Sequence, residues 1–69
     1  MKHTFQISLL NRAGELQKIL FNTSQTCAQT AFYALVNALA ISDYSRATFG
    51  LVTPSKIDIL ATCQIPWRG

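Results

Sequence analysis

Hydrophobic periodicity changes twice along this chain, and these changes constrain its fold more than any other sequence feature. Apolar and polar residues alternate in the first part of the chain, recur with a helical spacing in the middle, and alternate again towards the end. Alternation is typical of a half-buried strand, whereas a spacing of three to four residues is typical of an amphipathic helix. The sequence therefore predicts strands on both sides of one helix.

A hairpin is expected at the beginning of the chain. The segment from His3 to Leu10 predicts a strand whose inner residues are Phe5, Ile7 and Leu9. The following Asn11-Arg12-Ala13-Gly14 has an Asn that suits the first position of a type I turn and a Gly that tolerates a positive φ. The return strand runs from Glu15 to about Asn22. Its inner residues are Ile19 and Phe21, and its outer residues are Leu16, Lys18 and Leu20.

One helix is predicted from Ser24 to about Ile41. The preceding Asn22-Thr23-Ser24 offers side-chain oxygens that can accept hydrogen bonds from the first amides of a helix. At 100° per residue, the inner face consists of Ala28, Ala31, Phe32, Leu35, Ala38 and Leu39. The opposite stripe consists of Thr26, Thr30, Tyr33 and Asn37.

A second hairpin follows, with its turn at Thr53-Pro54-Ser55-Lys56. The inner residues of its two strands are expected to be Ala47, Phe49 and Leu51, then Ile57, Ile59, Ala61 and Cys63. The fold class is therefore α+β with the order ββαββ, in which a helix packs on one face of an antiparallel sheet of about four strands. A chain of 69 residues has room for one hydrophobic core, so residues 1–69 are expected to form a single domain.

No membrane or secretory segment is indicated. The first residues lack the long apolar region of a signal peptide, and the nearly apolar run from Ala31 to Ile41 is shorter than the roughly 20 residues that span a bilayer. Two cysteines are too few for a disulfide scaffold. We expect a cytoplasmic protein with reduced thiols and no membrane partner.

Catalytic and metal-binding constellations are not indicated. The candidate reactive groups are scattered along the chain: His3, Glu15, Cys27, Asp43, Asp58 and Cys63. An enzyme needs a nucleophile, a base and an orienting group that converge, and a structural zinc site usually has four ligands. We therefore expect neither enzymatic activity nor a cofactor or metal. A helix N-terminus can activate a thiol such as Cys27, but packing of both cysteines as small apolar side chains is favoured.

The predicted helix is unusual because it carries no charge. No Asp, Glu, Lys, Arg or His occurs between Lys18 and Asp43, although the exposed face of a helix normally collects such residues. Neutral hydrogen-bonding groups around a Tyr are typical of the centre of a protein interface. The outer stripe of Thr26, Thr30, Tyr33 and Asn37 is therefore a candidate partner-binding surface. The alternative is that the protein simply has few charges and that the exposed face of its helix is polar without binding anything. If the stripe does bind a partner, a second copy of the chain is one candidate.

Nucleic acid is the alternative partner. The chain has six Lys and Arg against three Asp and Glu, which gives a formal charge of +3. The candidate contacts on the sheet and the hairpin tip are Arg12, Lys18, Arg46 and Lys56. However, sheets that bind single strands usually present aromatic side chains for base stacking, and Phe5, Phe21 and Phe49 are all expected on the inner face. A solvated sheet face is the simpler interpretation.

The overall pattern resembles small accessory proteins of phages and other mobile elements, including anti-CRISPR proteins. The residues that carry this likeness are the hairpin Phe5-Gln6-Ile7-Ser8-Leu9 with Asn11-Arg12-Ala13-Gly14, the Asn22-Thr23-Ser24 cap and the Ala-rich helix. The likeness is architectural, covers most of the chain and includes no diagnostic motif. It implies a protein that acts stoichiometrically by covering a surface of a host protein or complex, such as a host defence complex.

Overall fold

The computed structural model describes residues 2–38 and 43–65 and confirms the predicted order of elements. The elements are β1 (Lys2–Asn11), β2 (Leu16–Ser24), α1 (Gln25–Ala38), β3 (Tyr44–Val52) and β4 (Ile57–Gln64). The predicted helix end at Ile41 and the tail that contains Trp67 lie outside the described residues.

The four strands form one antiparallel sheet in the order β2-β1-β3-β4. The central pair is β1 and β3, so the two hairpins lie side by side and β2 and β4 are the edges. Both β2 and β3 are antiparallel to β1, so α1 connects two strands that run in the same direction and crosses over β1 to do so. This crossover places α1 on one face of the sheet and leaves the opposite face, called here the open face, without a covering layer among the described residues.

The turn between β1 and β2 is built as the sequence predicts. The Gly14 amide donates to the Asn11 carbonyl at 3.2 Å, and Gly14 has a φ of 87°. The Asn11 side chain accepts hydrogen bonds from the amides of Ala13 and Glu15 at 3.0 and 2.8 Å. Any residue other than glycine at position 14 would adopt this left-handed backbone conformation only with strain.

Helix α1 begins after Ser24, whose hydroxyl accepts a hydrogen bond from the Cys27 amide at 3.3 Å, as expected of an N-cap residue. The buried face of α1 in the structure is narrower than the inner face that the sequence predicts. Ala28 and Phe32 are buried and Leu35 is partly buried, but Ala31 and Ala38 are exposed. The prediction for those two alanines is wrong because a helix on a sheet buries only the side chains that point at the sheet, and Val36 takes their place.

Three phenylalanines form the centre of the core between α1 and the sheet. The rings of Phe5 and Phe49 stack at a centroid distance of 5.3 Å, and Phe32 from the helix stacks on Phe49 at the same distance. All three side chains are fully buried. Around them lie Ile7, Leu9, Ala28, Ala47 and Ile65, so the predicted inner faces of β1 and β3 are confirmed.

Strand β4 departs from its predicted alternation. Phe49 pairs with Ala61, but the next residue, Gly50, pairs with Ile59, so Leu60 is an extra residue in a β-bulge. The bulge shifts the parity of the strand by one residue. Ala61 and Cys63 keep their predicted place against the core, whereas Ile57 and Ile59 lie on the open face beside Gly50. The prediction that Ile57 and Ile59 are inner residues is therefore wrong.

Candidate protein-binding surfaces

The four residues of the predicted partner-binding stripe are all exposed on α1. They span about 16 Å of the helix, since each residue advances about 1.5 Å along the axis. The Thr30 hydroxyl donates to the Thr26 carbonyl at 3.0 Å, so its proton is used within the helix and its oxygen remains an acceptor. Tyr33 and Asn37 continue the stripe towards the end of α1. The structure thus brings these four residues onto one exposed surface, called here the helix stripe.

Tyr33 lies on the side of the helix that faces β4. Its ring packs edge-on against Phe32 at a centroid distance of 5.2 Å, and its side chain is 44% exposed. It borders an open groove between α1 and β4, whose lining residues are Gln25, Gln29, Tyr33, Phe49, Leu60 and Ala61. Tyr33 therefore combines a ring anchored at one edge with a surface available to a partner.

Leu60 joins this groove because of the β-bulge. Regular alternation predicts Leu60 on the open face with Leu10, Leu16 and Leu20, and this prediction is wrong for Leu60 alone. In a bulge, two successive side chains lie on nearly the same side of the strand, which turns Leu60 towards α1 beside Ala61. The one sequence signal for this irregularity is Gly50 within an otherwise regular strand, because a glycine there often marks a bulge.

The groove and the helix stripe are uncharged. Helix α1 has no acidic residue in its first turn and no basic residue in its last described turn, and the groove is lined by amides, one phenol and apolar groups. Desolvation of such groups costs far less than desolvation of charged side chains. The surface around Tyr33 can therefore be covered by a partner without leaving an unpaired charge behind.

The open face of the sheet differs from the helix stripe in chemistry. Aliphatic side chains are exposed on it, with Leu16 and Leu20 from β2 and Ile57 and Ile59 from β4. Between them lies a row of polar residues from the central strands. Within it, Gln6 donates to the Ser8 hydroxyl at 2.9 Å and Asn22 donates to Thr4 at 3.2 Å. Thr4, Gln6 and Ser8 of this row thus each have a hydrogen-bond partner within the sheet.

The four candidate nucleic-acid contacts do not form one patch. Lys18 and Arg46 lie on the open face, where Ser8 and Leu10 are their respective register partners on β1. Arg12 lies in the first turn and donates to the Ile65 carbonyl at 3.0 Å. Lys56 lies in the second turn, at the opposite end of the sheet, and forms an exposed ion pair with Asp58 at 3.2 Å. Phe5, Phe21 and Phe49 all lie on the face of the sheet towards the helix, as predicted, so none of these three rings is on the open face.

The cysteines behave differently from each other. Cys63 is partly buried against the core, as expected, but Cys27 is exposed, so the prediction that it packs is wrong. Cys27 faces away from the sheet because Ala28, one residue on, points directly into the core. Among residues 2–38 and 43–65, no group of three or more His, Cys, Asp or Glu side chains is placed to hold a metal ion.

Among the described residues, no helix is long and apolar enough to cross a membrane. Comparison of the chain with protein-family models, curated protein sequences and solved structures finds no match. The resemblance to anti-CRISPR proteins therefore stays a prediction from architecture.

Proposed function

We propose that this chain is a non-enzymatic protein-binding module that acts in the cytoplasm by stoichiometric coverage of a partner protein's surface. The observation that carries the proposal is the helix stripe: an uncharged, exposed surface of α1 with Tyr33 beside the groove that Leu60 completes. Together with the architectural resemblance, it favours an inhibitor of a host defence complex, encoded by a phage or another mobile element.

Tyr33 is the proposed anchor. A large, partly rigid side chain that borders a groove is typical of the residues that dominate protein interfaces. The phenol can donate and accept a hydrogen bond, while Thr26, Thr30 and Asn37 supply polar contacts around it. Truncation of such an anchor commonly weakens binding by about 2 kcal/mol or more. The substitution Tyr33→Ala is therefore expected to weaken partner binding at least tenfold.

The experiment starts by recovery of the partner. The immobilised protein is incubated with host-cell lysate, the retained proteins are identified by mass spectrometry, and the affinity of the purified candidate is then measured by calorimetry. The matched control is Leu16→Ala, which truncates an exposed side chain on the other face of the molecule. Tenfold weaker binding by Tyr33→Ala and unchanged binding by Leu16→Ala are expected. Equal affinities of Tyr33→Ala and the unmodified protein would reject the helix stripe as the contact.

Binding of nucleic acid is the second candidate, and the shared position of Lys18 and Arg46 on the open face favours it. Neutralisation of two phosphates gives a slope of about −1.4 to −1.8 in a plot of log affinity against log salt. Fluorescence titration with single- and double-stranded oligonucleotides at two salt concentrations tests this candidate. Binding that falls with salt and weakens in Lys18→Gln would support it, and no salt-dependent binding at micromolar protein would dismiss it.

A further inference from the structure

We infer that β2 is a self-pairing edge, through which two copies of this chain join their sheets in antiparallel fashion. An edge strand presents a row of backbone N–H and C=O groups that a further strand can bind. A two-fold axis across such an edge produces an isologous interface, in which the same strand of both copies forms the contact. The partner in this inference is a second copy, and the surface is distinct from the helix stripe.

The first observation is the exposure of aliphatic side chains on both faces of β2. On the open face, Leu20 is 62% exposed, and Leu16 is also exposed. On the face towards the helix, Ile19 is 40% exposed, although Ile7, its register partner on β1, is only 4% exposed. The layer that buries Ile7 therefore stops short of Ile19. A strand placed beside β2 would cover apolar groups on both sides of the sheet at once.

The second observation is the regularity of β2. Its pairing with β1 continues without a shift from Ser24 to Leu16, and its nine residues contain neither Pro nor Gly. Lys18 is its one charged residue. Edge strands that resist pairing are usually short, bulged, or protected by proline or several charges. Of these protections, β2 has only the single charge of Lys18.

The third observation concerns the part of α1 above this edge. Tyr33, Gln25 and Gln29 lie on the side of the helix that faces β4. At 100° per residue, the opposite side of the helix, above β2, is formed by Cys27, Ala31 and Ala38, all of which are exposed. These three side chains are small and uncharged. A second copy can therefore approach β2 closely without meeting a long or charged side chain from the helix.

The symmetric register follows from the strand itself. The middle residue of β2 is Leu20, and a two-fold axis there pairs the strand with its copy over its full length. Directly opposed pairs are then Ile19 with Phe21, Lys18 with Asn22, and Leu16 with Ser24. Aliphatic–aromatic pairs stabilise a sheet, whereas like charges placed opposite each other destabilise it. This register opposes no like charges.

The area agrees with a weak but specific dimer. A strand of nine residues is about 30 Å long, and a sheet with one helix layer is about 20 Å thick. Because the helix layer stops short of Ile19, the side of the molecule at β2 offers at most about 600 Å² per copy, or about 1,200 Å² in total, which is the size of weak interfaces at the lower end of the specific range. We expect a dimer that dissociates in the micromolar range. Tyr33 stays exposed in both copies, because it lies on the side towards β4.

Sedimentation equilibrium over a range from about 1 to 500 μM tests the inference, with Leu20→Lys as the informative variant and Ile59→Lys as its matched control. Leu20 is 62% exposed and Ile59 is 60% exposed, and both lie on the open face, on opposite edge strands. Lysine at residue 20 would place two like charges next to each other on the axis. We expect Leu20→Lys to weaken dimerisation at least tenfold and Ile59→Lys to leave it unchanged. Circular dichroism confirms that both variants fold.

Each other outcome overturns the inference. A monomer at the highest concentration rejects self-association through any surface. A dimer weakened equally by both substitutions indicates association through the open face. A dimer weakened by Ile59→Lys alone indicates association through β4, and a dimer unaffected by either indicates association through the helix. Hydrogen exchange provides a measurement that needs no variant: amides of β2 should gain protection as concentration rises, while those of β4 should not. Since Tyr33 lies outside this interface, rejection of the β2 dimer does not affect the proposed function. Rejection of the helix stripe as a binding surface likewise does not affect the β2 dimer.

Discussion

The two edge strands of the sheet, β2 and β4, differ in the regularity of their pairing, in their charged residues and in how helix α1 packs on them. Strand β2 pairs with β1 without interruption and lies under the side of α1 that carries small residues. Strand β4 pairs with β3 through a bulge at Leu60, follows a turn that contains Pro54, and carries the ion pair between Lys56 and Asp58. Both edges expose isoleucine and leucine. Exposure of apolar side chains therefore does not distinguish the edges, whereas backbone regularity does.

This difference suggests a physical reason why one edge of a sheet can disfavour pairing with a further strand while the other edge still permits it. A bulge interrupts the row of backbone groups that a further strand would need and increases the local twist, so it blocks pairing without removing apolar residues. In β4, the bulge also moves Leu60 into the groove beside Tyr33. We therefore expect a single extra residue to disfavour pairing at one edge, and the same residue lines the groove of the proposed protein-binding surface.

The largest loss of stability is expected from Phe32→Ala, which removes the packing of the helix on the sheet that carries both edge strands. Phe32 is fully buried and stacks on Phe49, and α1 packs on β1, β2 and β3. Removal of the ring leaves a cavity and should cost about 3–5 kcal/mol of unfolding free energy. Thermal and urea unfolding measure this loss, with the exposed Ala34→Gly on the same helix as a control that should lose about 1 kcal/mol. A loss below 1 kcal/mol for Phe32→Ala would contradict the helix–sheet core.

An intermediate effect is expected from Gly50→Val, which acts on β4. A Cβ atom at residue 50 would lie 2.7 Å from the Ile57 Cγ2 atom and 3.1 Å from the Asp58 carbonyl oxygen. Overpacking of this kind commonly costs about 1–3 kcal/mol. We expect the amides of β4 to exchange faster than those of β2 in this variant. Because the clash with Ile57 involves a side chain, Gly50→Val combined with Ile57→Ala should recover part of the loss, and no recovery would argue against this register.

The smallest effect is expected from Asp58→Asn, which removes the ion pair with Lys56. The side chain of Lys56 is 69% exposed and that of Asp58 is 43% exposed, and pairs this open to solvent contribute little because water and salt screen the charges. Chemical denaturation with urea should show a loss below about 0.5 kcal/mol, and this loss should vanish in 1 M salt. Lys56→Met serves as the comparison from the other partner. A loss above 1 kcal/mol in either variant would mean that the pair stabilises β4 more than its exposure suggests.

The fold was largely predictable because its local signals agree with one another. Alternation placed Phe5 and Phe49 in the core, Asn11 and Gly14 marked the first turn, and Ser24 marked the start of the helix. Each of these signals depends on residues within a few positions of each other in the chain. The exposed stripe that contains Tyr33 was predictable for the same reason, since helical spacing is a local property.

The errors arose where one element meets another. The stripe that contains Ala31 looked apolar, but which of its residues are buried depends on where the helix lies on the sheet. Cys27 was misassigned for the same reason. Ile57, Ile59 and Leu60 were misassigned because a bulge depends on the pairing of β4 with β3, and a shift of one residue exchanges the two faces of a strand.

The amino-acid sequence alone determined the number, type and order of the elements, the turn at Gly14 and the uncharged character of the helix, because periodicity, turn chemistry and composition are properties of neighbouring residues. The tertiary structure decided that β1 and β3 are central, that β2 and β4 are edges, and that Leu60 borders the same groove as Tyr33. Strand order and register depend on contacts between residues far apart in the chain. Those contacts form only when the whole core packs around Phe5, Phe32 and Phe49.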